Sequence, residues 1–323
     1  MRDRRLVNRD LRIRSHASRF THHVSLITFH LVETIDRCLF SSVPAMLNQI
    51  PIEQETQLVE RAVHGDGDAF GELVGPLRKP LFSYIYRMVT LRQDAEDLLQ
   101  DVLVRVLQSL PGFRGEARFK TWLFGIASHV CIDHLRAKKR WRVEAQLYGQ
   151  YETEADESRV QQLETLIHSP DFVFEMREHI AFCFSCISRT LEPDEQAAIM
   201  LREVLGFSNQ EAAAMLEVSE PVFRHRLSSA RSKMTSSYEG LCQLINKTGV
   251  CWQCKGLHEF AGAGHNGQEL VQIEVAPGVE VSPESLFDAR LEIVREASFP
   301  ESKTRRMHDA FFEGLTRREE DSE

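Results

Sequence analysis

The 323-residue chain has no apolar run long enough to span a bilayer, which takes about 20 residues of helix. The weakly apolar stretch from Val24 to Leu31 is broken by Ser25, Thr28 and His30 and lacks a small-residue cleavage pattern, so no signal peptide is expected. A uniformly basic coat is also missing. The formal net charge is −9, so any nucleic-acid partner would have to be met by local patches. Cysteines are few and odd in number, seven, which fits a reducing cytoplasm better than a disulfide framework. Phosphate-cradling glycine loops are absent, as is a Ser/His/Asp arrangement in an interpretable context. No βαβ pattern surrounds Cys251-Trp-Gln-Cys254, which argues against a thiol–disulfide enzyme. These absences weigh against an enzyme, an exported protein and a membrane protein.

What is present is helical. The hydrophobic fraction of 42% is enough for real cores, and the length suits about two compact domains plus extensions. The most informative stretch runs from Asp94 to Trp141. Its first part, to Leu110, reads as an amphipathic helix with Ala95, Leu98, Leu99, Val102, Val106 and Leu107 on the apolar side. Glu96, Asp97, Gln100, Asp101 and Arg105 take the other side, and Asp94, Glu96 and Asp97 suit the positive end of the helix dipole. Pro111-Gly112 stops this helix, and a loop carrying Phe113, Arg114, Arg118, Phe119 and Lys120 leads into a second helix from Thr121 to Trp141. The second helix ends in the basic run Arg136, Lys138, Lys139, Arg140 and Arg142. An acidic face and a basic end so close together suggest one surface for a protein and another for nucleic acid.

Around this stretch, residues 1–45 crowd arginine and histidine without an apolar period. They read as a disordered tail, as sequence upstream of a true start at Met46, or as a basic arm touching DNA. Helices are expected over 52–64 and 69–89, the second kinked or split at Pro76 and Pro80. The acidic run from Tyr151 to Ser158 reads as a linker, and helical pattern resumes over 172–191. A helix over 196–205 ends at Gly206, and Ser208 with Glu211 forms a capping box for a small-residue helix. Glu217-Val218 makes a turn, and Ser219 opens a basic helix in which Val222, Leu227, Ala230 and Met234 face the core. Arg224, His225, Arg226 and Arg231 project outward, which completes a helix-turn-helix pattern.

Asp94-Ala-Glu-Asp-Leu-Leu-Gln-Asp-Val102, Phe113-Arg114, Thr121-Trp122-Leu123 and Asp133-His-Leu-Arg136, in that order, resemble conserved region 2 of bacterial RNA polymerase sigma factors. The segment from Asp194 to Met234 resembles region 4 of the same sigma-70 family. There is no room between them for the large regions of housekeeping sigma factors, which points to the extracytoplasmic-function type. The resemblance implies an all-α fold of two small helical domains, a region 2 four-helix domain and a region 4 helix-turn-helix, joined by a linker and followed by a small mixed extension. The boundaries expected are 1–45 extension, 46–145 region 2, 146–171 acidic linker, 172–244 region 4 and 245–323 C-terminal extension.

The function implied is recruitment, not catalysis: binding core RNA polymerase and directing it to promoter DNA, in the cytoplasm, under the control of an anti-sigma factor where one exists. Asp94, Glu96, Asp97, Gln100 and Asp101 correspond to the polymerase-binding surface. Arg118, Lys120, Thr121, Trp122, His129, Asp133, Arg136 and Lys139 correspond to the surface for the −10 element, with Trp122 as core first and base contact second. Ser219, Glu220, Phe223, Arg224, Arg226 and Arg231 form the set expected at the −35 element. A two-domain DNA-binding regulator that does not join polymerase is the competing reading.

Residues 245–323 exceed what such a factor needs. Cys183 and Cys186 with Cys251 and Cys254 suit either a tetrahedral zinc or a thiol switch, with Cys242 and His258 in reserve. Against this, Cys183 and Cys186 on a helix also fit ordinary buried hydrophobes. One or two short strands are expected over 268–281, and helices over 285–297 and 303–315. Such a tail could hold the DNA surfaces closed and regulate in cis.

Overall fold

Four successive helices build the first module, in a computed structural model that describes residues 50–138, 176–241 and 278–296 and the single positions Leu47, Ser158 and Gln161. Helix α1 (Ile52–Val63) lays Leu58 and Ala62 against α2 (Gly67–Val89). Asp66 caps α2 by accepting the Ala69 and Asp68 N–H groups at 3.0 and 3.1 Å, and the Ala69 bond together with a hydrogen bond from Arg61 holds its carboxyl below the ordinary carboxylate value.

Helix α2 runs without a break through Pro76 and Pro80, where the sequence predicts a kink or split. Each proline removes a backbone hydrogen bond and costs about 3 kcal/mol. Offsetting this, Leu73, Leu81, Tyr84, Ile85 and Met88 of the same helix are no more than 1% exposed. Burying a large apolar side chain contributes about 1.5–3 kcal/mol, so packing outweighs the lost bonds.

Helix α3 (Arg92–Ser109) buries Ala95, Leu98, Leu99, Val102 and Val106, as its period predicts. Leu107, expected on the same stripe, is 52% exposed beside Val104 at 54%. A single 3-10 turn (Leu110–Gly112) ends the helix, and α4 (Phe119–Ala137) crosses back through the core. There the Tyr84 hydroxyl and Ser128 Oγ meet at 2.8 Å, and Ser128 donates in turn to the Phe124 carbonyl at 2.7 Å.

The second module comprises α5 (Met176–Ser188), α6 (Pro193–Ile199) continuing as one π-helical turn (Met200–Val204), α7 (Asn209–Met215) and α8 (Glu220–Leu241). Gly206, at φ +77°, supplies the left-handed residue that ends the π turn. The capping box forms as expected: Ser208 Oγ accepts the Glu211 N–H at 3.1 Å, and the Glu211 carboxylate accepts the Ser208 N–H at 2.9 Å. Helix α9 (Pro283–Glu296) matches the helix expected at 285–297 and packs on α5, α8 and the π turn.

The described helices share one hydrophobic core, so the two modules are packed together. Phe124 of α4 has its ring 5.7 Å from Tyr84 and 5.4 Å from Phe207, which precedes α7. Gln196 of α6 donates to the Met88 carbonyl at 2.9 Å, one of the last carbonyls of α2.

Among the described residues all regular structure is helical, and no helix is long and apolar enough to cross a membrane. Cys183 is half-buried and Cys186 buried on α5, and among the described residues no His/Cys/Asp/Glu cluster is placed to hold a metal. The expectations for residues 1–45, for Cys242, Cys251, Cys254 and His258, for a helix at 303–315, and for nearly all of the linker and of 268–281 fall outside the described residues.

Because Phe124 touches both modules, Phe124→Ala should lower unfolding free energy by about 3–5 kcal/mol, read from urea denaturation followed by circular dichroism. A loss under about 1 kcal/mol would contradict this packing.

Candidate functional site

Helix α3 presents Asp97, Gln100 and Asp101 to solvent, with Val104 and Leu107 exposed on the same face. Glu96 lies at its margin and pairs with Arg92 at 2.6 Å. The mixture of carboxylates, amide and two exposed aliphatic groups suits a protein surface rather than nucleic acid. Sequence reasoning missed Val104 and Leu107, although their helical spacing from Asp97 and Gln100 was readable.

Asp94 departs from the expected set. It turns toward α4 instead, where its Oδ2 lies 3.2 Å from His134 Nε2 and 2.7 Å from Lys138 Nζ. The His134 hydrogen bond, followed by the Lys138 contact, holds its carboxyl at about 2 despite partial burial. This carboxylate joins the start of α3 to the end of α4.

On α4, Trp122, Gly125, Ile126, His129, Asp133 and Arg136 follow one another at helical spacing on a single face. Trp122 is half-buried against Phe113 and Phe119, with ring centroids 5.0 and 5.9 Å away, in agreement with a core role first. Thr121 is buried. Arg118 donates to Glu55 Oε2 at 3.0 Å and to the Ile50 carbonyl at 2.7 Å, tying the loop to α1. For Arg118 and Thr121 the structure therefore corrects the expected exposure to DNA: one is held by α1 and the other packed inside. Lys120 sits 5.7 Å over the Phe207 ring, and burial pushes its ammonium below the ordinary lysine value. Lys139 falls outside the described residues.

The same face of α4 is covered by the helix-turn-helix. A Cβ placed on Gly125 would stand 3.6 Å from Met215 Cα, an ordinary contact distance, so the two backbones rest on each other. His129 lies 3.8 Å from Glu217, which holds a left-handed φ of +52° at the turn after α7. Arg136 reaches Asp194 at 2.8 Å. Between the loop and the turn remains a cavity of about 430 Å³, lined by Phe113, Arg114, Trp122, Ile126, His129 and Met215.

Helix α8 buries Phe223, Ala230, Met234 and Tyr238, while Val222 is 45% exposed. The expected phase is therefore off by one residue at the helix start. Phe223 belongs to the core and is removed from the expected DNA-contact set. The line opposite the buried one is Pro221, His225, Ser228 and Ser232, all exposed. Arg224, exposed and 3.7 Å from Glu220, borders it, and Ser219 is exposed at the entry to the helix. Arg226 and Arg231 lie on the flanks and face carboxylates of their own chain. Arg226 is 3.0 Å from Asp194, and Arg231 is 2.8 Å from Glu203 and 2.6 Å from Asp288. Lys233 joins Glu195 at 2.7 Å in the same fashion. His225 was legible as outward-facing; its place at the centre of the outward line required knowing that Phe223 is inside.

Residues 73–141 match the family model for sigma-70 region 2, and residues 182–234 match that for sigma-70 region 4. The chain is 33% identical over 153 residues to the ECF RNA polymerase sigma factor SigX of Bacillus subtilis, covering 47% of this chain and 75% of that protein. It is 31% identical over 184 residues to the ECF RNA polymerase sigma-E factor of Escherichia coli, covering 57% of this chain and 94% of that one. Against ECF sigma factor SigG of Mycobacterium tuberculosis the identity is 29% over 180 residues, and the chain spans about half of that relative's length, 48%. Among solved structures, CnrH in complex with the cytosolic domain of CnrY aligns with a TM-score of 0.39 and 22% identity, over 57% of this chain and 96% of that one.

The Asp94 carboxyl is ionised more readily in the folded chain, about 2 against an ordinary 3.8, so it stabilises the fold above that ordinary value and ceases to as pH falls toward 2. Near neutral pH, Asp94→Asn should cost about 1–2 kcal/mol, and its urea midpoint should converge with wild type as the solution is acidified. A gap that stays constant down to about pH 2 would contradict the assignment.

Proposed function

This chain belongs to the extracytoplasmic-function group of the sigma-70 family, and on that basis we propose how its surfaces bind core RNA polymerase and direct it to promoters. The reading rests above all on order. The region 2 and region 4 matches fall one after the other on the two helical modules. The protein works by recruitment in the cytoplasm, without a reaction of its own.

Asp97, Gln100 and Asp101 meet the polymerase, their charges setting steering and register while Val104 and Leu107 supply apolar contact. The α4 face from Trp122 to Arg136 meets the opened −10 element, where unpaired bases can be held by stacking and edge hydrogen bonds. Helix α8 meets the −35 element: Arg224 and His225 reach base edges from the outward line, and Ser219 and Glu220 sit at the entry to the groove. Arg226 and Arg231 turn to phosphates once released from their carboxylates. Since α7 lies on the α4 face, promoter binding requires the two modules to part. The closed arrangement is a resting form.

Two sets of variants test these surfaces. Asp97→Ala with Asp101→Ala should weaken binding to core polymerase about tenfold, or about 1.4 kcal/mol, in a fluorescence anisotropy titration. Arg224→Ala with His225→Ala should leave that affinity intact and reduce run-off transcription from −35-dependent promoters by about 1–3 kcal/mol in promoter discrimination. Unaltered promoter choice would contradict the α8 assignment, and unaltered core affinity the α3 assignment.

A further inference from the structure

Helix α9 lies outside both family matches, which end at residue 234, yet it is built into the body of the protein. Its buried residues Phe287, Arg290, Leu291 and Val294 form one stripe at helical spacing. The Phe287 ring lies 6.2 Å from both Phe184 of α5 and Tyr238 of α8, and the Arg290 guanidinium stacks 3.7 Å over Tyr238. This is interior packing of a kind that a loosely attached tail does not make.

The polar ties of α9 reach both modules. Asp288 takes Arg231 of α8 at 2.6 Å, while the Arg231 guanidinium lies 5.0 Å over the Phe287 ring. Arg295 pairs with Glu203 of the π turn at 3.2 Å and also donates to the Glu203 carbonyl. The Val294 carbonyl belongs to the last turn of α9, where carbonyls have no partner within the helix. It accepts instead from Arg87 Nη2 at 3.1 Å, and Arg87 is a fully buried residue of α2 in the first module. A fourteen-residue helix thus binds α2 through its last turn and α8 through Phe287, Asp288 and Arg290.

We propose that α9 is a cis-acting clasp that holds the second module shut against the first and occupies Arg231, so that it must release before the promoter surfaces can be used. The proposal rests on the reading of the chain as a sigma factor. Chemically, Asp288 and Glu203 stand where a DNA phosphate would otherwise sit beside Arg231. The clasp and DNA compete for one guanidinium, and clasp release and module separation are a single step.

The test uses the full chain carrying Asp288→Arg and Arg295→Glu, two exchanges at partly exposed positions that leave the buried stripe intact. Circular dichroism melting establishes that the variant folds. Small-angle scattering should then show a larger radius of gyration than wild type. Run-off transcription at limiting core polymerase should rise at least about fivefold, within the usual range of coupling between sites. Phe287→Ala, which loosens the stripe by another route, should move both readouts in the same direction. A folded variant with wild-type scattering would overturn the clasp, and so would an opened variant with no gain in transcription. If neither protein initiates at any promoter, the sigma-factor reading fails, and scattering alone then decides whether α9 holds the modules together.

Discussion

Asp194 stands between α4 and α8, the two helices proposed to face a promoter. One oxygen takes Arg136 of α4 at 2.8 Å and the other Arg226 of α8 at 3.0 Å, so a single carboxylate occupies a cation from each. Magnitudes decide what this contact does. A partly exposed ion pair is worth about 0.2–1 kcal/mol, whereas each large side chain buried between the modules contributes about 1.5–3 kcal/mol. Phe124, Phe207 and Met215 are all at most 4% exposed at this junction. Burial holds the modules together; Asp194 fixes how they register and which arginines are withheld.

The same arrangement recurs along the second module. Asp194, Glu195 and Glu203, spread over α6 and its π turn, take Arg226, Lys233 and Arg231 in turn. A row of carboxylates spaced along a basic helix presents to it what a phosphate backbone would. Under the proposed assignment of α8, DNA binding displaces internal anions as well as releasing counterions, so affinity reflects the difference between two sets of similar contacts. Such a balance lets a modest contribution from α9 shift the population strongly, because about 1.4 kcal/mol changes an equilibrium tenfold.

Much of the fold was legible because its signals are local. The α3 stripe, the Ser208–Glu211 capping box, the turn at Glu217 and the helix at the start of α9 each depend on residues within one or two turns. What could not be read depends on neighbours distant in sequence. Asp94 reads as an exposed helix-start carboxylate until α4 brings His134 and Lys138 beside it. Val222 and Phe223 are both apolar, so only packing tells which one faces the core. Pro76 and Pro80 look like breakers until the burial along α2 is counted. Gly125 and Met215 read as ordinary helix residues; nothing local says that one backbone rests on the other. At the candidate site the sequence showed which helices carry the charged residues, but not which cations are already paired within the chain.

If promoter engagement requires the helix-turn-helix to leave the α4 face, locking the two together should block initiation. An ideal Cβ on Gly125 lies 3.9 Å from Met215 Cβ, inside the range of about 3.5–4.5 Å that a disulfide requires. Gly125→Cys with Met215→Cys should therefore cross-link the closed form on oxidation. The measurement is run-off transcription by core polymerase with the oxidised double variant, its cross-link verified by mass spectrometry, before and after reduction. The oxidised protein should lose promoter-directed initiation and regain it with reductant. A verified cross-linked protein that initiates as well as its reduced form would contradict that requirement.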